Sequence, residues 1–181
     1  MKFTLLAKVN VLFLLLTLSD VFKRRGLAPI GEPLILIQQA DFRDTYSYSC
    51  MTALDMDQPL FLTGRTNSND QVDFIKFLVL AVEAGYLKQG DILVCDNARI
   101  HGGSATVEIL EALRQLTGFQ LVYLPAYSPE FNPCELVFMK VKRYLREYRT
   151  SSIPLWVDIV AAFATVSQHN VVSFYNKCCY S

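Results

Sequence analysis

The sequence predicts an α/β domain: a mixed sheet flanked by helices. Three observations carry this. Strand-like segments come first, and then helical and strand segments alternate as helix–strand–helix–strand–helix. The short apolar run at 92–95 reads as a strand buried on both faces. The chain has 181 residues, 52% of them apolar and 19% charged, which suits one compact domain with a large core and excludes a disordered chain.

The elements follow in order. Residues 1–22 are an apolar leader. Lys2 before an apolar run resembles a secretory signal, but Lys8 and Asn10 interrupt it, and no small-x-small cleavage site follows. The uninterrupted part, 11–18, is far too short to span a bilayer. Three readings stand: a signal or anchor, a buried strand or helix of the domain, or an altered start. Gly26, Pro29, Gly31 and Pro33 punctuate a loop. Segments 34–38, 45–54 and 59–63 read as strands, the last two forming a hairpin, with Tyr46, Tyr48 and Cys50 on one side of the pleat.

A helix is predicted over 70–84. Ser68 or Asn69 caps it, Asp70 suits its positive end, and Val72, Ile75, Val79, Val82 and Tyr86 form its core stripe. After the strand at 92–95 comes a helix over 105–116, capped by Ser104 and ended by Gly118. A strand at 120–124 and a Pro-rich loop at 125–133 follow. The helix over 134–148 places Cys134, Phe138, Val141, Leu145 and Tyr148 on one face. Two more helices are predicted near 154–168 and 171–178. The domain therefore covers 23–150, with a helical extension over 151–181.

Lys plus Arg equals Asp plus Glu at 17 each, so any contact with nucleic acid must rest on a local basic patch. The five cysteines are odd in number and scattered, without a C-x-x-C pair, and only two histidines are present. Neither a disulfide framework nor a Cys/His zinc site fits; five small buried thiols do.

Two acids carry the chemistry. Asp96 directly follows the strand at 92–95, and catalytic groups in α/β sheets gather at carboxyl ends of strands. Glu135 lies in the first turn of the 134–148 helix, where a carboxylate also suits the helix dipole. Each alone has an ordinary structural use. Together, a strand-end Asp and a helical Glu can hold Mg²⁺ or Mn²⁺, which need few protein ligands, all of them oxygens.

The runs VCDNARIH and LVYLPAYSPEFNPCELVFMKVKRYL resemble the catalytic core of DDE transposases of the Tc/mariner type. The resemblance spans roughly 23–148 and includes RRGLAPIG and TYSYSCMTALD. It implies an RNase H-like fold and Mg²⁺-dependent DNA nicking and strand transfer. It maps the second catalytic Asp onto Asp96 and the third acid onto Glu135, with Asn97 and His101 in support. DNA is the implied partner and a homodimer is compatible with it. No small-molecule substrate and no membrane are implied, and the nucleus is the expected compartment. The family's first catalytic Asp falls here within 9–16, which contains no carboxylate. Asp20 is too close to Arg24 to replace it.

Lys140, Lys142, Arg143 and Arg146, with Arg149, form the basic patch that a neutral chain needs to bind DNA; Arg65 and 23–25 could add to it. Tyr127 and Asn132 are expected to shape the Pro-rich loop. Two readings follow: a transposase-derived nuclease domain that is incomplete, or a domesticated DNA-binding module without catalysis. Secretion or membrane attachment rests on the leader alone.

Overall fold

The computed structural model describes residues 46–66, 69–96, 106–149 and 152–178, together with the backbone of 11–16. Five strands form one mixed sheet: β1 (Val11–Leu16), β2 (Ser47–Thr52), β3 (Leu60–Arg65), β4 (Ile92–Cys95) and β5 (Gln120–Tyr123). Their spatial order is β3-β2-β1-β4-β5. β1 is the middle strand, antiparallel to β2 and parallel to β4, and β4 is parallel to β5. The leader thus supplies a strand of the sheet. The carboxyl ends of β1, β4 and β5 lie at one edge. The strand predicted at 34–38 lies outside the described residues.

Five helices cover the two faces: α1 (Gln71–Glu83), α2 (Val107–Thr117), α3 (Pro133–Tyr148), α4 (Leu155–Ala164) and α5 (Gln168–Lys177). Strand alternation divides the core in two. Tyr48, Cys50 and Val94 pack with α3, α4 and α5, while Met51, Leu93 and Cys95 pack with α1 and α2. All six residues of β2 are buried, as a strand covered on both faces requires.

Two helix starts differ from expectation. Asp70 is itself the cap of α1, in a capping box with Asp73. Thr106 precedes α2 and makes no side-chain cap bond; Ser104 lies outside the described residues. The buried face of α1 is Phe74, Ile75, Phe77, Leu78 and Ala81, whereas Val72 is exposed. The bulky phenylalanines set the phase: Phe77 packs against Phe61 of β3 with ring centroids 5.3 Å apart. Gly118 ends α2 with φ 81, and a Cβ there would meet Gln89 at 2.9 Å.

The last helix closes the α3 side. Tyr175 of α5 is buried, and its hydroxyl donates to the Thr52 carbonyl at 2.9 Å. Cys50, Cys95, Cys134 and Cys178 are buried, as predicted; Cys179 lies outside the described residues. Among the described residues, no helix is long and apolar enough to cross a membrane.

Candidate metal centre and nucleic-acid interface

The site stands where β4 ends and α3 begins. Asp96 is the first residue after β4, and alternation from Val94 carries it toward the α3 face of the sheet. The loop leading to α3 is tied at both ends. The Leu124 amide donates to the Cys95 carbonyl at 2.8 Å, next to Asp96. Asn132, 1% exposed, caps α3 by accepting the Cys134 amide on its Oδ1 at 3.0 Å. Pro133 fills the first helical position, where no amide hydrogen is needed. Glu135 follows in the first turn. Asn132→Ala is expected to lower stability by about 1–2 kcal/mol, read as a drop in the denaturant midpoint at unchanged slope.

Glu135 is half-buried, and burial raises its carboxyl above the ordinary value. Lys142, two turns along the same helix face, pulls it back down, and the Asp96 charge pushes it up. The two carboxylates therefore share one electrostatic environment, which a divalent cation would relieve. Among the described residues, no group of three or more His, Cys, Asp or Glu could hold a metal ion.

The register of β1 sets what stands beside Asp96. Leu14 pairs with Cys95, and continuing that register by one residue sets Leu15 alongside Asp96. All six residues of β1 are Val, Leu or Phe, none of which offers an oxygen ligand. Asn97 and His101 lie outside the described residues.

The basic residues part company. At 100° per residue, Lys142 and Arg146 fall on the Glu135 face of α3, Arg143 flanks that face, and Lys140 turns away from it. Arg143 pairs with Glu147 at 2.8 Å on the surface, an ion pair of small energetic value. Arg149 lies 3.9 Å from the carboxylate of Asp158 in α4, both largely buried, so it serves the fold rather than the patch. Arg65 pairs with Asp73 at the start of α1. Tyr148, expected in the core, is exposed and packs on Tyr144 with centroids 4.9 Å apart. Tyr127 was expected to shape the Pro-rich loop. It stands wholly exposed, with a left-handed φ of 58°.

A family profile described as DDE superfamily endonuclease matches residues 17–153. The chain belongs to the DDE superfamily endonucleases. The match begins one residue beyond β1. No curated protein matches the chain in sequence. Solved structures extend the likeness to the fold of this DDE domain. The Mos1 transposase paired-end complex with left transposon end superposes with a TM-score of 0.61 at 16% identity, covering 93% of this chain and 52% of that one. The Mos1 mariner paired-end complex with Mn gives the same score and identity, with the same coverage. The Mos1 transposase catalytic domain with Raltegravir and Mg gives 0.54 at 13% identity, covering 93% of this chain and 81% of that one. The chain thus spans about half the length of the full Mos1 chains. Its α/β architecture is RNase H-like, with the fold of these Mos1 domains.

Proposed function

We propose that this DDE domain binds DNA along the sheet edge that carries Asp96 and Glu135, and that it holds one divalent ion there without forming a two-ion nicking centre. The observation that carries this reading is the apolar β1 strand beside Asp96. Two carboxylates fit one Mg²⁺ or Mn²⁺, since Mg²⁺ keeps several waters and takes one or two protein carboxylates. When bound, such an ion polarises a phosphoryl oxygen. The rest falls to this chain. Asp96 and Glu135 would hold the ion, the Lys142 charge favours the ionised form of Glu135, and Lys142 with Arg146 would neutralise backbone phosphates. Lys140 and Arg143 would steer DNA from the adjoining helix face. Asn97 and His101 remain in supporting roles. A DNA-binding module without catalysis is thereby favoured over full strand nicking and transfer. Nuclear location and homodimer formation belong to the same reading. Tagged protein in cells and light scattering with and without DNA test them.

The test uses melting and plasmid nicking in parallel. Mg²⁺ at ten times its dissociation constant should stabilise the protein by about 1.4 kcal/mol. Glu135→Gln should abolish that gain. The sign without metal runs the other way. The Glu135 carboxyl is raised, so the stability it contributes is full below the ordinary Glu value and lost as pH rises through the raised one. Metal-free Glu135→Gln should therefore be at least as stable as the parent at pH 7. Supercoiled plasmid should be bound but not nicked. Mg²⁺-dependent nicking that Glu135→Gln removes would overturn the incomplete centre, and the absence of DNA binding would overturn the whole reading.

A further inference from the structure

We propose that Tyr127 is a stacking platform for an unpaired DNA base beside the acid pair; this rests on the DNA-binding reading above and deepens it.

The first observation is exposure. Tyr127 is 101% exposed, so its ring makes no contribution to the core. The second is its backbone. Tyr127 is the only non-glycine residue with positive φ among the described residues, at 58°. A bulky side chain rarely adopts that conformation, and such settings persist only where the surroundings enforce them. The surroundings here do so. The loop start is tied by Leu124 to Cys95, and Ser128 Oγ donates to the Ala126 carbonyl at 3.4 Å. The turn at Pro129–Phe131 then closes with the Asn132 amide on the Pro129 carbonyl at 3.0 Å, ahead of the buried Asn132 cap. A loop so tied sets the Tyr127 backbone, from which the ring stands out in solvent.

The third observation is location. The loop joins the carboxyl end of β5 to the first turn of α3, so the ring projects from the segment linking the Asp96 edge to Glu135. Phe131, four residues on, is 37% exposed and offers a second ring. The charge further along α3 fits a polyanion: Lys142 and Arg146 share the Glu135 face of the helix. An aromatic ring beside cations is the pairing that single-stranded nucleic acid recognises, because each base has a π face and each linkage a phosphate. In an intact duplex, base faces are already stacked on their neighbours. The ligand is therefore a base freed at an end, a nick or a flipped position.

The experiment compares two DNA probes of one sequence: a blunt duplex, and a duplex with a three-nucleotide unpaired tail carrying 2-aminopurine. The intact chain should bind the tailed probe more tightly and quench its fluorescence. Tyr127→Ala should weaken tailed-probe binding about 5- to 140-fold, the equivalent of 1–3 kcal/mol per stacked base. It should leave blunt-duplex affinity within about twofold, the duplex offering no free base face. Tyr127→Phe should keep both the affinity and the quenching. Tyr127→Gly should lose the tail preference without lowering the melting temperature, because glycine suits the left-handed backbone. Equal binding of both probes by the parent chain, or an unchanged tail preference in Tyr127→Ala, would overturn the proposal. A lowered melting temperature with intact tail binding in the glycine variant would assign Tyr127 to the fold instead. If the parent binds neither probe, the underlying DNA-binding reading fails. If Lys142→Ala with Arg146→Ala weakens both probes while Tyr127→Ala weakens neither, only the stacking proposal fails.

Discussion

Leu15→Asp is expected to convert the acid pair into a group of three and to tighten divalent-metal binding by at least about tenfold. The magnitude is a lower bound, since even the outer partners of metal ligands are worth 10–100-fold in affinity. The register sets position 15 alongside Asp96, at the carboxyl end of the middle strand. Without metal the new carboxylate joins two like charges, so the variant should melt below the parent in chelator. Mn²⁺ or Mg²⁺ should reverse that order and bring out nicking of supercoiled DNA, which Glu135→Gln in the same chain then removes. A folded Leu15→Asp protein whose melting responds to metal no more than the parent's would place the missing ligand elsewhere.

Phe138→Ala is expected to cost about 3–5 kcal/mol, a large share of the 5–15 kcal/mol that holds a typical domain together. Phe138 is 2% exposed and meets Phe163 of α4 edge-on at 5.7 Å. Phe163 in turn meets Tyr48 of β2 at the same centroid distance. The three rings join α3 to α4 and to the sheet, so truncating the α3 end of that row loosens the helix that carries Glu135. Chemical denaturation measures the stability loss. Weakened Mg²⁺ stabilisation below the unfolding transition would report the displaced Glu135. An effect under about 1 kcal/mol would mean that the neighbouring side chains close the gap.

Much of this was legible in the chain. A four-residue apolar run ending in Asp96 can hardly be anything but a buried strand with a carboxylate at its tip, and the Asn-Pro before Cys134 announces a helix start. The phase of α1 was not legible. Residues 77–82 are all apolar, so the helix has no single stripe to read, and only packing of Phe77 on Phe61 selects the buried side. Val11–Leu16 was equally ambiguous, because an uninterrupted apolar run suits a signal, a helix or a strand until its partners are known. Those partners are distant: β4 contributes Ile92 opposite Val11. The basic cluster read as one patch because composition carries no angle, and the helix then separates Lys142 and Arg146 from Lys140. The exposure of Tyr127 was not legible, because residue type does not encode which side of a loop faces solvent.

The middle position of β1 also has a consequence during synthesis. Leu16 finds its antiparallel partner Ser49 33 residues later, while Val11 finds its parallel partner Ile92 81 residues later. At about 5–20 residues per second, the second edge of this six-residue apolar strand stays open on the ribosome for roughly 4–16 s. The middle strand of the sheet thus waits longer for its second partner than any other described strand waits for its own.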